Sequence, residues 1–387
     1  MKKILIVHTE YTQTGGEDIA VRQEISFLAD KYQIEVLLFQ NSLNLTFKDI
    51  KAFMINTNKD SLDKFKEKII NFDPDCIYIH NLWFKGSLGI LKFALKRKLN
   101  VVLKLHNFRY DCTRSFFSRK HLKSSNVCNA CGMSKNETGI INKYYRDSLA
   151  KSILVNNFGR TYFRLLKNNN LKLITMTDHH KKHLQSLGMK EKNVFVQPNP
   201  ILSVNGETKK QNKKLNQIVY AGRISYEKGL QELVDTWIAI EKNDTKLIII
   251  GEGPLFPSLK EKVKNLDSIE LTGSMENKKV LKIIEKSKAV VTATKLYEGQ
   301  PTLLCEASQL SVPSIFPDSG GIKDFFPENS KFMFEQFNYQ DMKKKLEEVT
   351  NSKFLDTEGE RNNKFIRHYL DNERLLNSFE EILETKI

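Results

Sequence analysis

Residues 289–306 read AVVTATKLYEGQPTLLCE, an apolar β-branched run followed by a Gly-x-Pro turn and the start of a helical pattern. A strand that ends in such a turn points free backbone N–H groups and the positive end of a helix dipole toward one place, where an anion such as a diphosphate can bind. Glu298 and Glu306, with seven residues between them, can accept hydrogen bonds from sugar or ribose hydroxyls. The stretch therefore predicts a strand–turn–helix unit that binds a nucleotide sugar.

Outward from this stretch, short apolar runs alternate with helical patterns along most of the chain. Sustained alternation of this kind favours parallel sheets covered by helices on both faces, and here it occurs twice. We expect two doubly wound α/β domains, with a cleft between them and ligands at the carboxyl ends of the strands. The predicted strands are Ile4–His8, Glu35–Phe39, Cys76–His80, Val101–His106, Leu173–Thr177, Gln217–Ala221, Lys246–Gly251, Ile269–Thr272, Ala289–Thr294 and Pro313–Phe316.

A polar segment over residues 197–217, rich in Asn, Lys, Pro and Gly, indicates the domain boundary. We therefore expect a first domain over residues 1–200 and a second over residues 201–361. The remaining residues, 362–387, have a helical pattern with no strand after them, and we expect them to cross back onto the first domain.

Composition is typical of a folded globular protein. The chain has 387 residues, 40% of them hydrophobic, and five cysteines. It contains no run of about 18 apolar residues, so no membrane-spanning helix is expected. The first residues read as a strand rather than a signal peptide, and five cysteines do not make a disulfide framework, which favours the reducing cytoplasm.

The net charge of +15 is confined to the first half of the chain. Residues 1–200 contain 33 Lys and Arg against 17 Asp and Glu, whereas residues 201–387 contain 28 against 29. Such a field attracts an anionic membrane surface or another polyanion, although a general lysine bias explains it equally. No recognised nucleic-acid module accompanies the charge, so nucleic acid is not an expected partner. The stretch Phe84–Lys98 mixes apolar and basic residues, and either contacts a membrane surface or packs on its own sheet.

Glycine turns follow several predicted strands. Gly15 and Gly16 come after the first strand and precede Asp18, a candidate helix cap. The turn after residues 217–221 reads Gly222-Arg223-Ile224-Ser225-Tyr226-Glu227-Lys228-Gly229, where a guanidinium and an ammonium could hold a diphosphate. Taken singly, such turns are more often structural and such cations more often solvated. Two further strands end in glycine turns, at Gly251-Glu252-Gly253-Pro254 and at Thr272-Gly273-Ser274.

In this order and spacing the chain resembles glycosyltransferase family 4, whose members are retaining enzymes with the GT-B fold. The matching motifs are Gly222-Arg223-x4-Lys228-Gly229, Gly251-Glu252-Gly253-Pro254, Glu298-x7-Glu306 with Gly299-x-Pro301, and the pair Gly15-Gly16. Four motifs in register across both predicted domains make the resemblance specific.

The resemblance implies roles for these residues. Arg223 and Lys228 would neutralise the leaving diphosphate, which is electrostatic stabilisation where charge develops. Glu306 would bind the ribose, and Glu298 would hold the transferring sugar. The remaining donor-binding positions implied are Gly15, Gly16, Gly222, Glu252, Gly273, Gln300, Pro301, Thr302 and Leu303.

Two strand-end histidines are further candidates. By resemblance, His106 lies near the donor sugar and the incoming hydroxyl, and His80, with Asn81 beside it, lies on the acceptor side. No Asp-x-Asp element stands at a strand end, so we expect a metal-independent transfer. No conventional general base is evident, and the leaving phosphate itself would accept the acceptor's proton.

Three cysteines lie in or beside a polar insert, residues 107–143. Cys112, Cys128 and Cys131 have the spacing Cys-x15-Cys-x2-Cys, and a tetrahedral zinc site would need a fourth ligand. Some relatives carry that fourth cysteine before a Tyr-Arg-Gly-Ser stretch, where this chain has tyrosine. A structural zinc and free thiols both remain open, and the insert is a candidate acceptor-shaping loop.

The leading expectation is a glycosyltransferase that uses a UDP-sugar, or otherwise a GDP-sugar, and a glycan or polyprenyl-diphosphate-linked glycan acceptor in surface polysaccharide synthesis. A nucleotide-sugar epimerase or phosphorylase of the same fold is one alternative. A catalytically silent subunit with this fold is another, and a zinc-knuckle nucleic-acid protein is the most distant. The sequence does not distinguish the sugar, the acceptor or the oligomeric state.

Overall fold

The computed structural model describes residues 1–12, 15–42, 46–112, 143, 145, 148–201, 214–352 and 355–386. The described residues divide into two compact units. The first comprises those up to Pro200 together with a C-terminal segment from Asn372, and the second comprises those from Ile201 to Asp371.

The first unit is built on a six-stranded parallel sheet in the order β2-β1-β3-β4-β5-β6. Its strands are β1 (Lys3–Glu10), β2 (Gln33–Gln40), β3 (Cys76–Ile79), β4 (Val101–Lys104), β5 (Leu171–Thr175) and β6 (Val194–Val196). Its helices are α1 (Gly16–Ala29), α2 (Phe47–Met54), α3 (Lys59–Phe72), α4 (Leu88–Lys96), α5 (Leu149–Leu166), α6 (Asp178–Ser186) and, from the end of the chain, α13 (Asn372–Glu384).

The second unit repeats this plan with the strand order β12-β11-β10-β7-β8-β9, again all parallel. Its strands are β7 (Leu215–Ala221), β8 (Lys246–Ile250), β9 (Ile269–Gly273), β10 (Ser287–Val291), β11 (Ser314–Asp318) and β12 (Met333–Glu335). Its helices are α7 (Leu230–Ile238), α8 (Phe256–Val263), α9 (Asn277–Glu285), α10 (Thr302–Gln309), α11 (Tyr339–Asn351) and α12 (Leu355–Tyr369).

The sequence explains why these sheets are buried on both faces. In β8 the run from Leu247 to Ile250 is almost fully buried, because alternate residues enter two different hydrophobic clusters. Strands covered on both sides read as continuous apolar runs rather than alternating ones. Helix α7 supplies one of the covering layers with Leu230, Leu233 and Trp237, which recur at helical spacing and are all buried.

Both sheets reverse their winding direction at one point. In the first unit β1 lies between β2 and β3, and in the second unit β7 lies between β10 and β8. Loops after adjacent strands leave toward opposite faces at such a point, so a crevice opens at the carboxyl ends of the two strands. The prediction of two doubly wound parallel-sheet domains is confirmed, and ligand-binding residues are expected after β1 and β3 and after β7 and β10.

Candidate active site

In the second unit, the loops after β7 and β10 meet through an ion pair. Lys228 donates to Glu298 Oε1 at 2.5 Å, and the Thr294 hydroxyl donates to the same oxygen at 2.7 Å. Both charged side chains are about a quarter exposed. Burial raises the pKa of Glu298, but the charge and hydrogen bond of Lys228 outweigh burial, so this pKa lies below its ordinary value. Glu298 is therefore an ionised acceptor that still reaches the surface.

The same loop leads directly into α10. Pro301 is the residue before the helix, and its carbonyl accepts from the amides of Leu304 and Cys305 at 2.9 and 3.0 Å. The amides of Thr302 and Leu303 belong to the open first turn, where a helix has no intrahelical acceptors. The second unit therefore places an ammonium group and a helix N-terminus on the loops that follow adjacent strands.

Glu306 lies further along α10 and is largely buried. Its Oε1 accepts from Asn277 at 3.1 Å, which links α10 to α9. Burial raises the pKa of Glu306 above its ordinary value, against the effect of that hydrogen bond. Asn277 carries no local sequence signal for this role, because only the tertiary fold brings α9 beside α10.

Arg223 is the predicted phosphate ligand with the most exposed side chain, at 65%. Its guanidinium donates a hydrogen bond to the carboxylate of Glu227, four residues further along the chain, rather than to that of Glu298. The Glu227 carboxylate is only 11% exposed, so the pair reaches solvent on the arginine side alone. The guanidinium is open to an incoming anion from that side.

Close backbone packing explains the glycines of this unit. A Cβ on Gly251 would lie 1.9 Å from the carbonyl oxygen of Gly222, and one on Gly229 would lie 2.0 Å from that of Ala293. The Glu252 carboxylate lies beside Gly273, since a Cβ there would be 3.8 Å from its Oε1. Gly251 and Gly273 let the loops after β7, β8 and β9 approach one another, and Gly229 lets the loop after β7 approach the loop after β10.

The turn at residues 319–321, which the sequence analysis did not identify, packs against the loop that carries Glu298. Gly320 has φ +59°, and a Cβ on it would lie 2.9 Å from both the nitrogen and the oxygen of Glu298. The Gly321 amide donates to the Glu298 carbonyl at 3.1 Å, and the Ser319 hydroxyl donates to that of Leu296 at 2.6 Å. The Gly-Gly turn after β11 was the one available signal.

In the first unit, a polar cluster occupies the carboxyl ends of β1, β3 and β4. His80 Nδ1 and His106 Nε2 are 2.9 Å apart, so one imidazole donates to the other. Burial, with the neighbouring charged groups, holds the pKa of both histidines well below the ordinary value. Both are therefore neutral at physiological pH. Asn81 is occupied structurally, because its amide donates to the Thr9 carbonyl and its oxygen accepts from the Trp83 amide.

The predicted glycines of this unit begin α1. The Gly15 amide donates to Asp18 Oδ2 at 2.8 Å, and the other oxygen of Asp18 is 2.9 Å from His8 Nε2. Asp18 therefore caps the helix as expected and also binds a buried histidine. A Cβ on Gly16 would meet no atom within 4 Å, so open space lies beside its backbone.

Beside this cluster lies a carboxylate–guanidinium arrangement that the sequence did not reveal. Glu17 Oε2 accepts from the Tyr11 hydroxyl at 2.9 Å and from Asn107 at 3.2 Å. The Arg109 guanidinium lies over the rings of Tyr11, at 5.1 Å, and Trp83, at 4.5 Å. Glu17 Oε1, Arg109 Nη1 and His80 Nε2 are buried atoms without a partner among the described residues. Unpaired buried polar atoms are costly, so their clustering is typical of a ligand site.

These residues adjoin a pocket lined by aromatic and polar side chains. Its wall includes Trp83, His106 and Arg109 together with Phe158 and Tyr162 of α5. Burial raises the pKa of Glu17, and the charge of Arg109 offsets part of that effect. The arrangement can accept a hydroxyl hydrogen and donate to a hydroxyl oxygen at once, which suits a polyhydroxylated ligand.

Two sequence hypotheses depend on other parts of the chain. Cys128 and Cys131 of the proposed zinc site lie outside the described residues, and Cys112 is buried. In Phe84–Lys98 the apolar residues Leu88, Ile90, Leu91, Ala94 and Leu95 are buried. These five residues therefore pack within the unit, as the second alternative expects, whereas Phe84 and Phe93 of the same stretch are half-buried.

No helix among the described residues is long and apolar enough to span a bilayer.

Comparison with known proteins shows a similarity to glycosyltransferases. Residues 205–368 match the profile of the family described as glycosyl transferases group 1. Among curated proteins, the amylovoran biosynthesis glycosyltransferase AmsD of Erwinia amylovora is 31% identical over 149 residues, which cover 37% of this chain and 42% of AmsD. TuaC of Bacillus subtilis, named for teichuronic acid biosynthesis, is 30% identical over 138 residues, 34% of each chain. The chain thus spans about two fifths and one third of the lengths of these relatives.

Solved structures resemble the whole chain at low sequence identity. Anabaena HepE in complex with UDP and glucose has a TM-score of 0.70 and 12% identity, with 99% of each chain covered. An S. aureus TarM structure in complex with UDP has a TM-score of 0.67 and 14% identity, with 100% of each chain covered. At this level of identity the likeness establishes the GT-B fold.

Proposed function

Since residues 205–368 match the glycosyl transferases group 1 family and the chain has the GT-B fold, we propose that the protein is a retaining glycosyltransferase. It would transfer a sugar from a nucleoside diphosphate sugar, with UDP as the first choice of nucleotide and GDP as the second. Its acceptor would be a glycan or a polyprenyl-diphosphate-linked glycan in surface polysaccharide synthesis. The names of AmsD and TuaC support the polysaccharide assignment.

The contact between Lys228 and Glu298 beside the start of α10 carries this proposal. It supplies a cation for phosphate, a carboxylate for sugar hydroxyls and open helix amides from loops that follow adjacent strands. Arg223 would exchange its bond to Glu227 for the diphosphate. Glu306, further along α10, would accept from the ribose hydroxyls.

The proposed reaction breaks the bond between the sugar C1 and the diphosphate oxygen and forms a bond from C1 to the acceptor oxygen on the same face. The acceptor's proton passes to the departing phosphate oxygen. Arg223 and Lys228 offset the charge that develops on the diphosphate, so the transfer requires no metal ion. His106, which is neutral, would donate or accept a hydrogen bond near the reacting sugar.

The acceptor would bind to the polar cluster of the first unit. Glu17 Oε1 and Arg109 Nη1 have no hydrogen-bond partner among the described residues, and a sugar hydroxyl could donate to the first while it accepts from the second. The pocket encloses only about 20 Å³, so a single sugar hydroxyl rather than a whole ring would enter it beside Trp83. These residues replace Asn81, whose side chain is already committed to backbone groups.

A thermal-shift titration of the full chain with UDP, GDP, ADP and CMP tests the donor assignment. A ligand that binds only the folded state raises the melting temperature with occupancy. We expect one nucleoside diphosphate to stabilise the wild type and to lose most of its effect in Arg223→Ala and Lys228→Ala. Lys260→Ala, an exposed lysine of α8, should behave as the wild type.

The outcomes separate the competing functions. If no nucleotide shifts the melting temperature, the silent-subunit alternative replaces the transferase. If a nucleotide binds, donor hydrolysis by the wild type that disappears in Glu298→Ala supports a transferase. Binding without any hydrolysis or transfer argues against it.

A further inference from the structure

The outer faces of α2 and α5 carry a concentration of exposed apolar side chains. On α2, Phe47, Ile50 and Met54 recur at helical spacing and are 83%, 38% and 53% exposed, and Ile55 just beyond is 58% exposed. On α5, Leu149 is 45% exposed and Ile153 is 47% exposed. Six of the fourteen large apolar side chains that are exposed among the described residues therefore lie on two short segments.

These two exposed faces form one surface. Asn157, one turn beyond Ile153 on the same side of α5, donates to the carbonyl of Met54 at 2.7 Å. The hydrogen bond joins the outer face of α5 to the end of α2. We call the surface formed by Phe47, Ile50, Met54, Ile55, Leu149 and Ile153 the α2–α5 ridge.

The exposed apolar side of α2 is not the side on which this helix packs into the unit, because a different side of α2 is already buried. Phe53, on the opposite side of α2, is buried and stacks on Phe158 of α5 with ring centroids 5.5 Å apart. Asp49, also buried, binds Lys85. The inner side of α2 is therefore fully used, and the apolar outer side needs a separate explanation.

Charge identifies the partner. Lys51 and Lys151 are exposed on the same two helices, and Arg160 is exposed further along the Leu149–Ile153 side of α5. Lys48 of α2 is also exposed, but it is ion-paired with Asp60 of α3. The helices themselves carry a single carboxylate, the buried Asp49. Apolar side chains flanked by exposed cations match the interface of an anionic bilayer, in which acyl chains lie below phosphate groups.

The helices that carry the ridge on their outer faces reach the pocket proposed to bind the acceptor with their inner faces. Phe53 packs edge-on against Trp83 at 5.5 Å, and Trp83 and Phe158 both line that pocket. The outer faces of α2 and α5 would thus contact the bilayer, and the inner faces of the same helices would lie beside the acceptor. A lipid-linked acceptor would reach the pocket without leaving the headgroup region.

We propose that the α2–α5 ridge inserts into the headgroup region of an anionic bilayer, with Lys51 and Lys151 against lipid phosphates. This surface is distinct from Phe84–Lys98, most of whose apolar residues are buried. The proposal goes beyond the transferase assignment, because membrane docking is measured without donor or acceptor.

Vesicle sedimentation of the full chain provides the test, with phosphatidylcholine vesicles that contain or lack phosphatidylglycerol. We expect the wild type to bind vesicles that contain phosphatidylglycerol and the double variant Phe47→Ser/Met54→Ser to bind at least about tenfold more weakly. The double variant Lys51→Gln/Lys151→Gln should lose binding to phosphatidylglycerol, and added salt should weaken the wild type.

The control is Ile70→Ser on α3, which removes a side chain that is 78% exposed in the same unit but outside the ridge. Its binding should equal that of the wild type, and all variants should keep the wild-type melting temperature. Equal binding by the ridge and control variants overturns the proposal, as does a wild type that binds no vesicles. A wild-type dimer that the ridge variant abolishes would assign the surface to a second copy instead.

Discussion

At the residue scale, the ion pair of Lys228 and Glu298 joins binding to stability. Lys228→Met leaves a carboxylate that is only 23% exposed without its cation, so we expect the free energy of unfolding to fall by roughly 1–3 kcal/mol. Glu298 has a lowered pKa, so the pair stabilises above the ordinary carboxyl pKa and this contribution disappears as pH falls through the folded value. Urea unfolding followed by Trp237 fluorescence should therefore show a larger loss at neutral pH than at acid pH.

The double variant Lys228→Met/Glu298→Gln should recover part of this loss, because no buried charge remains unpaired. Lys262→Met provides the control: its partner Asp235 is 60% exposed, so the substitution should have little effect. If Lys262→Met lowered the free energy of unfolding as much as Lys228→Met, the loss in Lys228→Met would not come from the burial of the Glu298 carboxylate.

Gly320 supports the Glu298 loop by close packing, and its substitution tests that role. Gly320→Ala adds a Cβ 2.9 Å from Glu298 backbone atoms at φ +59°, so the loop must move. We expect nucleotide affinity to fall at least about tenfold, because small displacements of a binding loop are costly. Isothermal titration with the stabilising nucleotide measures this.

Gly188→Ala is the control that separates displacement of the Glu298 loop from the backbone strain that any alanine at positive φ causes. Gly188 has φ +89°, but a Cβ there would meet only the flexible end of Lys167 at 3.6 Å. Both alanine variants should lose about 1–2 kcal/mol of stability, and only Gly320→Ala should lose nucleotide affinity. Unchanged affinity in Gly320→Ala would mean that this glycine only closes a turn.

Residues close together in sequence were predictable, and residues assembled by the fold were not. Glu298 and Glu306 share one turn and helix, and Arg223 and Lys228 share one loop, so their spacing was informative. Gly320 lies more than twenty residues beyond Glu298. Glu17 and Arg109 are joined only through side chains of Tyr11 and Asn107.

At the element scale, α13 returns to the first unit and completes its core. Phe379 is fully buried, with its ring 5.9 Å from that of Tyr32 and 5.1 Å from that of Tyr78. Phe379→Ala should destabilise the first unit by about 3–5 kcal/mol, through lost burial and a residual cavity. The urea midpoint reported by Trp83 should fall.

Nucleotide binding provides the internal control for that substitution, since α13 is part of the first unit and the proposed donor residues are in the second. The Phe379→Ala protein should still bind the nucleotide in the native state. A variant with an unchanged Trp83 transition would show that α13 contributes little to this core.

The apolar strands were predicted well, whereas several helices and the two shortest strands were missed. The ten predicted strands all correspond to strands of the structure, but β6 and β12, of three residues each, were absent from the prediction. Helices α2, α3, α5 and α11 were not identified either; in α3 half of the fourteen residues are charged, and Phe65 is its one buried apolar side chain. The helical pattern over residues 362–384 concealed a break, since α12 ends at Tyr369 and α13 begins at Asn372.

At the scale of the whole molecule, the histidines are distributed unequally between the two units. Of the eight histidines in the sequence, only His368 lies beyond residue 200, and it is exposed. In the first unit, burial lowers the pKa of His180 to about 3 and holds the pKa of His80 and His106 well below the ordinary value. Among the described residues, the buried histidines with a lowered pKa therefore all lie in the first unit.

This asymmetry predicts that mild acid unfolds the first unit before the second. Below the ordinary histidine pKa of about 6.5, the histidines of the unfolded chain bind protons that the buried histidines of the folded unit do not. The free energy of unfolding therefore falls as pH falls. For a histidine such as His180, the loss is about 2 kcal/mol at pH 5. Each unit holds one of the two tryptophans, Trp83 or Trp237, so fluorescence of Trp237→Phe reports the first unit and that of Trp83→Phe the second. Between about pH 6.5 and 4.5, above the ordinary carboxyl range, the urea midpoint should fall steeply for the first unit and little for the second. His180→Gln should flatten the first dependence, whereas coincident curves for the two units would contradict the assignment of acid sensitivity to buried histidines.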